Sequence, residues 1–178
     1  MNKKVLSLFF LLFFAMGFSS VKPLKAQDQA PGKPTPVITR AFASREMRPG
    51  GNWLVYLNAS DSKGQMKYIV SEIWMPGAGS SSASYTRIKA GEGKELSGYV
   101  YLNVFGSDLE TRLNQNFINL TLVIYIKDKS GNFSAPAVFP LSFNSRYAQS
   151  TPPAGVFKDE DLGPIMIRLG DMMGGMGE

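Results

Sequence analysis

The chain has 178 residues, enough for one ordinary domain with appendages. It contains no cysteine and no histidine, which excludes disulfide stapling, a thiol nucleophile, a Ser-His-Asp triad and an acyl anchor on cysteine. The formal charge of +5 is misleading, because Lys3, Lys4, Lys22 and Lys25 lie in the first 26 residues, where there is no acidic residue. The remainder carries 15 basic and 14 acidic residues, a net charge of +1, and lacks the basic footprint of a nucleic-acid-binding protein.

Met1-Asn2-Lys3-Lys4 is followed by an apolar run from Val5 to Phe18 and a polar stretch ending at Ala26. That is the order of regions in a signal peptide, and cleavage is expected after Ala26. The run is about 14 residues long, short of the roughly 20 that span a bilayer, so no transmembrane segment is expected once the signal is removed. An exported product, periplasmic or extracellular, follows. Residues 27–36, with Pro31, Gly32, Pro34 and Pro36 and no periodicity, read as a Pro-rich linker.

From Val37 the sequence alternates short Val/Ile/Tyr/Leu-rich runs with Gly, Asp, Asn and Ser clusters, the signature of strands and turns. Seven strands are expected, at 37–47, 53–60, 66–74, 84–89, 96–105, 120–127 and 137–143. No connection is long enough for a chain of helical crossovers, so antiparallel pairing is expected. Val55, Leu57 and Ala59, with Leu122, Ile124 and Ile126, alternate as the inward faces of two central strands, and Trp53 and Trp74 are expected to cover the ends of the core. Between the fifth and sixth strands, Ser107 to Asn116 has a capping serine, early acidic residues and leucines four apart, which suits one short helix.

Two turns share the pattern Asp-x-x-Gly: Asp61 with Gly64, and Asp128 with Gly131 and Asn132. Aspartate accepts hydrogen bonds from backbone N–H groups further along the turn and glycine takes the positive φ that closes it, so both are expected as structural turns. Asp61 and Asp128 could instead contribute to a Ca²⁺ site, although calcium loops concentrate more carboxylates. The phrases Ala59-x-Asp61-x-x-Gly64 and Asp128-x-x-Gly131-Asn132-x-Ser134 resemble those of the bacterial immunoglobulin-like domains, similar to fibronectin type III and cadherin domains, in exported envelope proteins. The resemblance covers residues 36–144 and implies a seven-stranded antiparallel immunoglobulin-like β-sandwich. It also implies work as a spacer, adhesion module or binding surface. The lack of histidine and cysteine leads separately to the expectation of no enzyme activity, and no cofactor is expected.

Residues 145–178 are expected as a C-terminal extension, with a possible extra strand at 162–169 and a Gly/Met-rich end. Ile165, Ile167 and Leu169 fall on one side of that strand, which can fold back on its own domain or add to another protein's sheet. Trp74 and Tyr85 flank the Gly/Ser-rich loop at 76–84, an arrangement suited to recognising a protein or polysaccharide. Weaker signals are Met166, Met172, Met173 and Met176 as a Cu(I) cluster, and Asn58, Asn119 and Asn132 as glycan acceptors. Catalysis would have to use carboxylates among Glu72, Glu92, Glu95 and Glu110, or a loop serine with Lys89 or Lys94.

Overall fold

The strand pattern resolves into two mixed sheets that share one apolar interior. The structure, a computed structural model, describes residues 36–104 and 119–173. The expected signal peptide, nearly all of the linker, the helix expected at Ser107–Asn116 and the last five residues lie outside them. Among the described residues there are ten strands: β1 Val37–Ala43, β2 Glu46–Met47, β3 Asn52–Ser60, β4 Met66–Met75, β5 Gly79–Ser80, β6 Ser84–Arg87, β7 Glu95–Asn103, β8 Asn119–Asp128, β9 Ala137–Phe143 and β10 Asp161–Ile165. A five-residue helix, α1, covers Leu169–Met173. One sheet runs β1-β3-β7-β10; the other runs β2-β9-β8-β4-β5, with β6 also paired to β4.

Alternation drives the layering. In β3 and β8 every second side chain is buried, which puts Val55, Leu57 and Ala59 from one sheet in a single cluster with Leu122, Ile124 and Ile126 from the other. Trp53 lies fully inside that cluster, and its indole N–H donates to the Ser44 carbonyl at 2.9 Å, so its one polar atom is satisfied. Trp74 does not cap the core. Core-facing positions on β4 are Ile69, Ile73 and Met75, and alternation turns Trp74 to the opposite face, 49% exposed.

Two differences from the all-antiparallel expectation have physical causes. The first expected strand breaks at Ser44-Arg45: β1 pairs with β3, then the chain crosses to the second sheet and β2 pairs with β9 in parallel. Ser44 anchors the crossing, donating from Oγ to the Glu46 carbonyl at 2.6 Å and accepting from the Ser150 N–H at 3.1 Å. The second difference is β10, which returns from the far end of the sequence and pairs in parallel with β7. Its side chains Leu162 and Ile165, with Leu169 just beyond, are buried in the same cluster as the central strands.

The segment between β9 and β10 lies as a strap across the outer face of the first sheet. The Gln149 side chain accepts from the Leu54 N–H at 2.9 Å and donates to the Asn52 carbonyl at 2.6 Å, serving the edge of β3 where β1 has ended. Asn58 Nδ2 donates to the Val156 carbonyl at 2.8 Å, Phe157 packs on Tyr56, and Tyr99 N–H donates to the Glu160 carbonyl at 2.8 Å. Gly98 makes the last approach possible. A Cβ there would strike the Glu160 carbonyl oxygen and meet Leu162 Cγ at 2.9 Å.

Burying a leucine or isoleucine is worth roughly 1.5–3 kcal/mol, so the three side chains of β10 and α1 contribute a large part of the ~5–15 kcal/mol typical of a domain. Leu162→Ala is therefore expected to cost about 2–5 kcal/mol in urea unfolding. A chain ending at residue 156 is expected to lack a cooperative thermal transition. Gly98→Ala should cost about 1–3 kcal/mol by overpacking and make the strap sensitive to limited proteolysis, whereas an equivalent loss without new cleavage would show that the strap does not depend on this contact.

Candidate functional site

The outer faces of the two sheets differ. That of the first sheet is crossed by the strap; that of the second carries an array of rings and cations fixed by strand register. Across one end, Phe133 pairs with Lys127 of β8, Lys127 with Tyr68 of β4, and Tyr68 with Arg87 of β6. One step along, Tyr125 and Tyr85 flank Val70. Val70 is only 2% exposed yet does not belong to the cluster between the sheets, so it forms a small apolar floor on the outer face. Trp74 stands further along β4, beside Thr121.

The rings pack edge to face, Tyr68 on Tyr85 at 5.7 Å between centroids and Tyr125 on Phe133 at 6.0 Å, a favoured arrangement of ring quadrupoles. Lys127 Nζ lies 4.9 Å from the Phe133 centroid and 5.6 Å from that of Tyr85, and Lys67 Nζ lies 5.0 Å from that of Tyr68. Such cation–π contacts hold the ammonium groups in place without neutralising them. Trp74, Tyr85, Phe133 and Val138 are all exposed on this face.

Of the residues expected to bind, Trp74 and Tyr85 share this face, about four strand residues apart, which is ~13 Å. They do not flank an open loop alone; they stand on paired strands. Ile165 and Leu169 are placed in the chain's own core, and Ile167 packs against it. Extended backbone stops at Ile165: Met166 N–H donates to Ser84 Oγ at 2.8 Å, and α1 begins at Leu169. The Lys127 row escaped sequence reasoning because Tyr68, Tyr85, Lys127 and Phe133 come from separate segments, and only register brings them together.

The two aspartate turns lie side by side, since Met66 pairs with Asp128. Asp61 accepts from the N–H groups of Lys63 and Gln65 at 3.0 and 2.8 Å, while Gly64 takes φ 65°. Asp128 accepts from Asn132 N–H at 2.8 Å and Asn132 Nδ2 at 2.7 Å, with Gly131 at φ 88°. All four carboxylate oxygens thus face protein donors. Among the described residues there is no group of three or more Asp, Glu, His or Cys placed to hold a metal ion. Met166 is exposed whereas Met172 packs on the core.

The candidate catalytic groups are engaged elsewhere. Ser81 Oγ accepts from Ile73 N–H, and Ser84 Oγ serves Met166. Lys89 pairs with Glu160 at 3.3 Å. Burial pushes the Glu92 carboxyl up, as does its hydrogen-bonding neighbour Glu160, whereas the Lys89 contact holds Glu160 down. Glu92 Oε2 is buried beside Glu160 without a hydrogen-bond partner among the described residues. This pair joins the β6–β7 loop to the strap. Glu72 stands on the outer face of the second sheet and Glu95 at the start of β7, while Glu110 lies outside the described residues. The possible glycan acceptors Asn58, Asn119 and Asn132 all have side chains hydrogen-bonded within the fold.

Comparisons of the chain with protein-family models, curated proteins and solved structures return no match.

Burial acts to raise the Asp128 carboxyl, but the bonds from Asn132, Ser130 and Gly131 outweigh it and hold the group below its ordinary value. Its contribution to stability is therefore complete above the unfolded value of ~3.9 and fades as pH falls through the lower folded value. Asp128→Ala should cost about 1–3 kcal/mol at pH 6, and the gap to the wild-type chain should close towards pH 2, as read by urea unfolding across the range. A gap that stays constant into acid would assign the loss to packing and not to the carboxylate.

Proposed function

We propose that the chain is an exported immunoglobulin-like module, periplasmic or extracellular, that binds a protein or polysaccharide of the cell envelope through the outer face of its six-stranded sheet. The carrying observation is that Trp74 and Tyr85, 49% and 51% exposed, project from that face, while the opposite sheet is overlaid by its own strap. Aromatic side chains give large contact area at low entropy cost, and here paired strands hold them in place before any partner arrives.

Strand order supports the immunoglobulin-like reading. The neighbours β1-β3-β7 and β9-β8-β4 follow the A-B-E and G-F-C order of such sandwiches, with the first strand divided between the sheets. The position next to β7, where a fourth strand would run antiparallel, is occupied by β10 in parallel. A binding role without chemistry accords with a sequence lacking histidine and cysteine and with the Ser81 and Ser84 hydroxyls accepting from backbone N–H groups.

Residues 27–178, carrying Trp74→Ala and Tyr85→Ala together, should melt within a few degrees of the wild-type chain, since exposed substitutions usually change stability by no more than about 0.5 kcal/mol. Affinity capture from envelope extract should then lose whatever the wild-type chain retains. Capture that survives both substitutions would refute a site on this face, and an absence of any captured protein or glycan would favour a passive structural subunit.

A further inference from the structure

The ring and cation array also bears on the chemistry of the ligand. We infer that the row Phe133–Lys127–Tyr68–Arg87 is a subsite for an anionic polysaccharide whose sugar faces lie on the rings and whose carboxylates meet the cations; this rests on the binding reading above.

Three features converge on that class. The row spans four neighbouring backbone segments at ~4.8 Å each, so it is a flat track and not a cavity. Small molecules are generally held in concave sites; a flat track suits an extended polymer of repeating units. Second, cations dominate the row: Lys67, Arg87 and Lys127 gather at one end of the outer face, the carboxylates Glu72 and Glu46 stand away from it, four residues along β4 from Tyr68 and on β2 beside Ser142, and none of the three cations is ion-paired among the described residues. Third, Lys127 is held between Tyr85 and Phe133, so charge and apolar ring surface alternate at a spacing set by the strands. A polymer of acidic sugars presents the same alternation, with C–H faces and carboxylates on successive units. A protein partner is less well matched, because interface centres are depleted in lysine. Nucleic acid would ask for a longer basic track than three cations and a net charge near zero provide.

The test is titration of residues 27–178 with polygalacturonate, dextran and inorganic polyphosphate, followed by affinity electrophoresis or calorimetry at two salt concentrations. Polygalacturonate should bind with an affinity that falls as salt rises, because exposed ion pairs are screened, and dextran should bind more weakly. Lys127→Met, which keeps the apolar stem, and Arg87→Gln should each weaken polygalacturonate roughly three- to five-fold, the worth of a solvent-screened ion pair, with melting temperature unchanged. Tyr85→Leu should weaken polygalacturonate without affecting any binding of polyphosphate. Equal affinity for dextran, salt-independent binding, or polyphosphate bound as tightly as polygalacturonate would each overturn the inference. Failure of polygalacturonate to bind overturns it too. If capture from envelope extract then still depends on Trp74 and Tyr85, the binding reading survives and its ligand is of another class; if that dependence is also missing, both fall.

Discussion

The unpaired backbone edge of β7 is the constraint on which this fold is organised. Its peptide groups and the apolar gap beside them need covering, and a strand from the distant C-terminal part of the sequence supplies both needs. β10 pairs with β7 while Leu162, Ile165 and Leu169 enter the interior. To arrive there the chain must cross the first sheet, which is why the strap exists and why Gly98 lies where the two backbones converge. The crossing leaves the two outer faces unequal, and the array on the second sheet is the one left accessible.

The same segment ties the layers together at their margin. Thr86 of β6 donates from Oγ1 to the Pro164 carbonyl at 2.7 Å, and Ser84 receives Met166 N–H. Both contacts run from the second sheet to the terminal strand of the first. Ser44 does comparable work at the start of the chain, where β1 gives way to β2 and the Trp53 indole is held. A domain without disulfides thus closes its two margins with hydroxyl-to-backbone hydrogen bonds around an apolar centre.

Much of the β architecture was legible from periodicity. Val55, Leu57, Ile124 and Ile126 alternate so regularly that a period of two could hardly be missed, and Asp61 and Asp128 announce their turns through nearby glycines. What could not be read has a common cause, dependence on contacts distant in sequence. The break at Ser44-Arg45 carries no glycine or proline to mark it. The parallel pairings of β2 and β10 depend on which edges happen to be free. Trp74 is apolar, and only its phase relative to Ile73 and Met75 shows that it points outward. Among the candidate binding residues, Ile165 and Leu169 have the same composition whether they face a partner or their own core, so pattern alone left both options open.

That the edge strand comes from the C-terminal part has a consequence in time. Contacts between β7 and β10 join residues about 60 positions apart, and such non-local pairings form late because the loop between them must first close. While the chain is being synthesised, β7 and the first sheet are made long before the residues that cover them. The nascent domain therefore spends much of its synthesis with an open sheet edge and an unfilled interior, the kind of surface that chaperones engage. Docking of β10 and α1, not formation of the first strands, sets the moment at which the sheet edge and interior are covered.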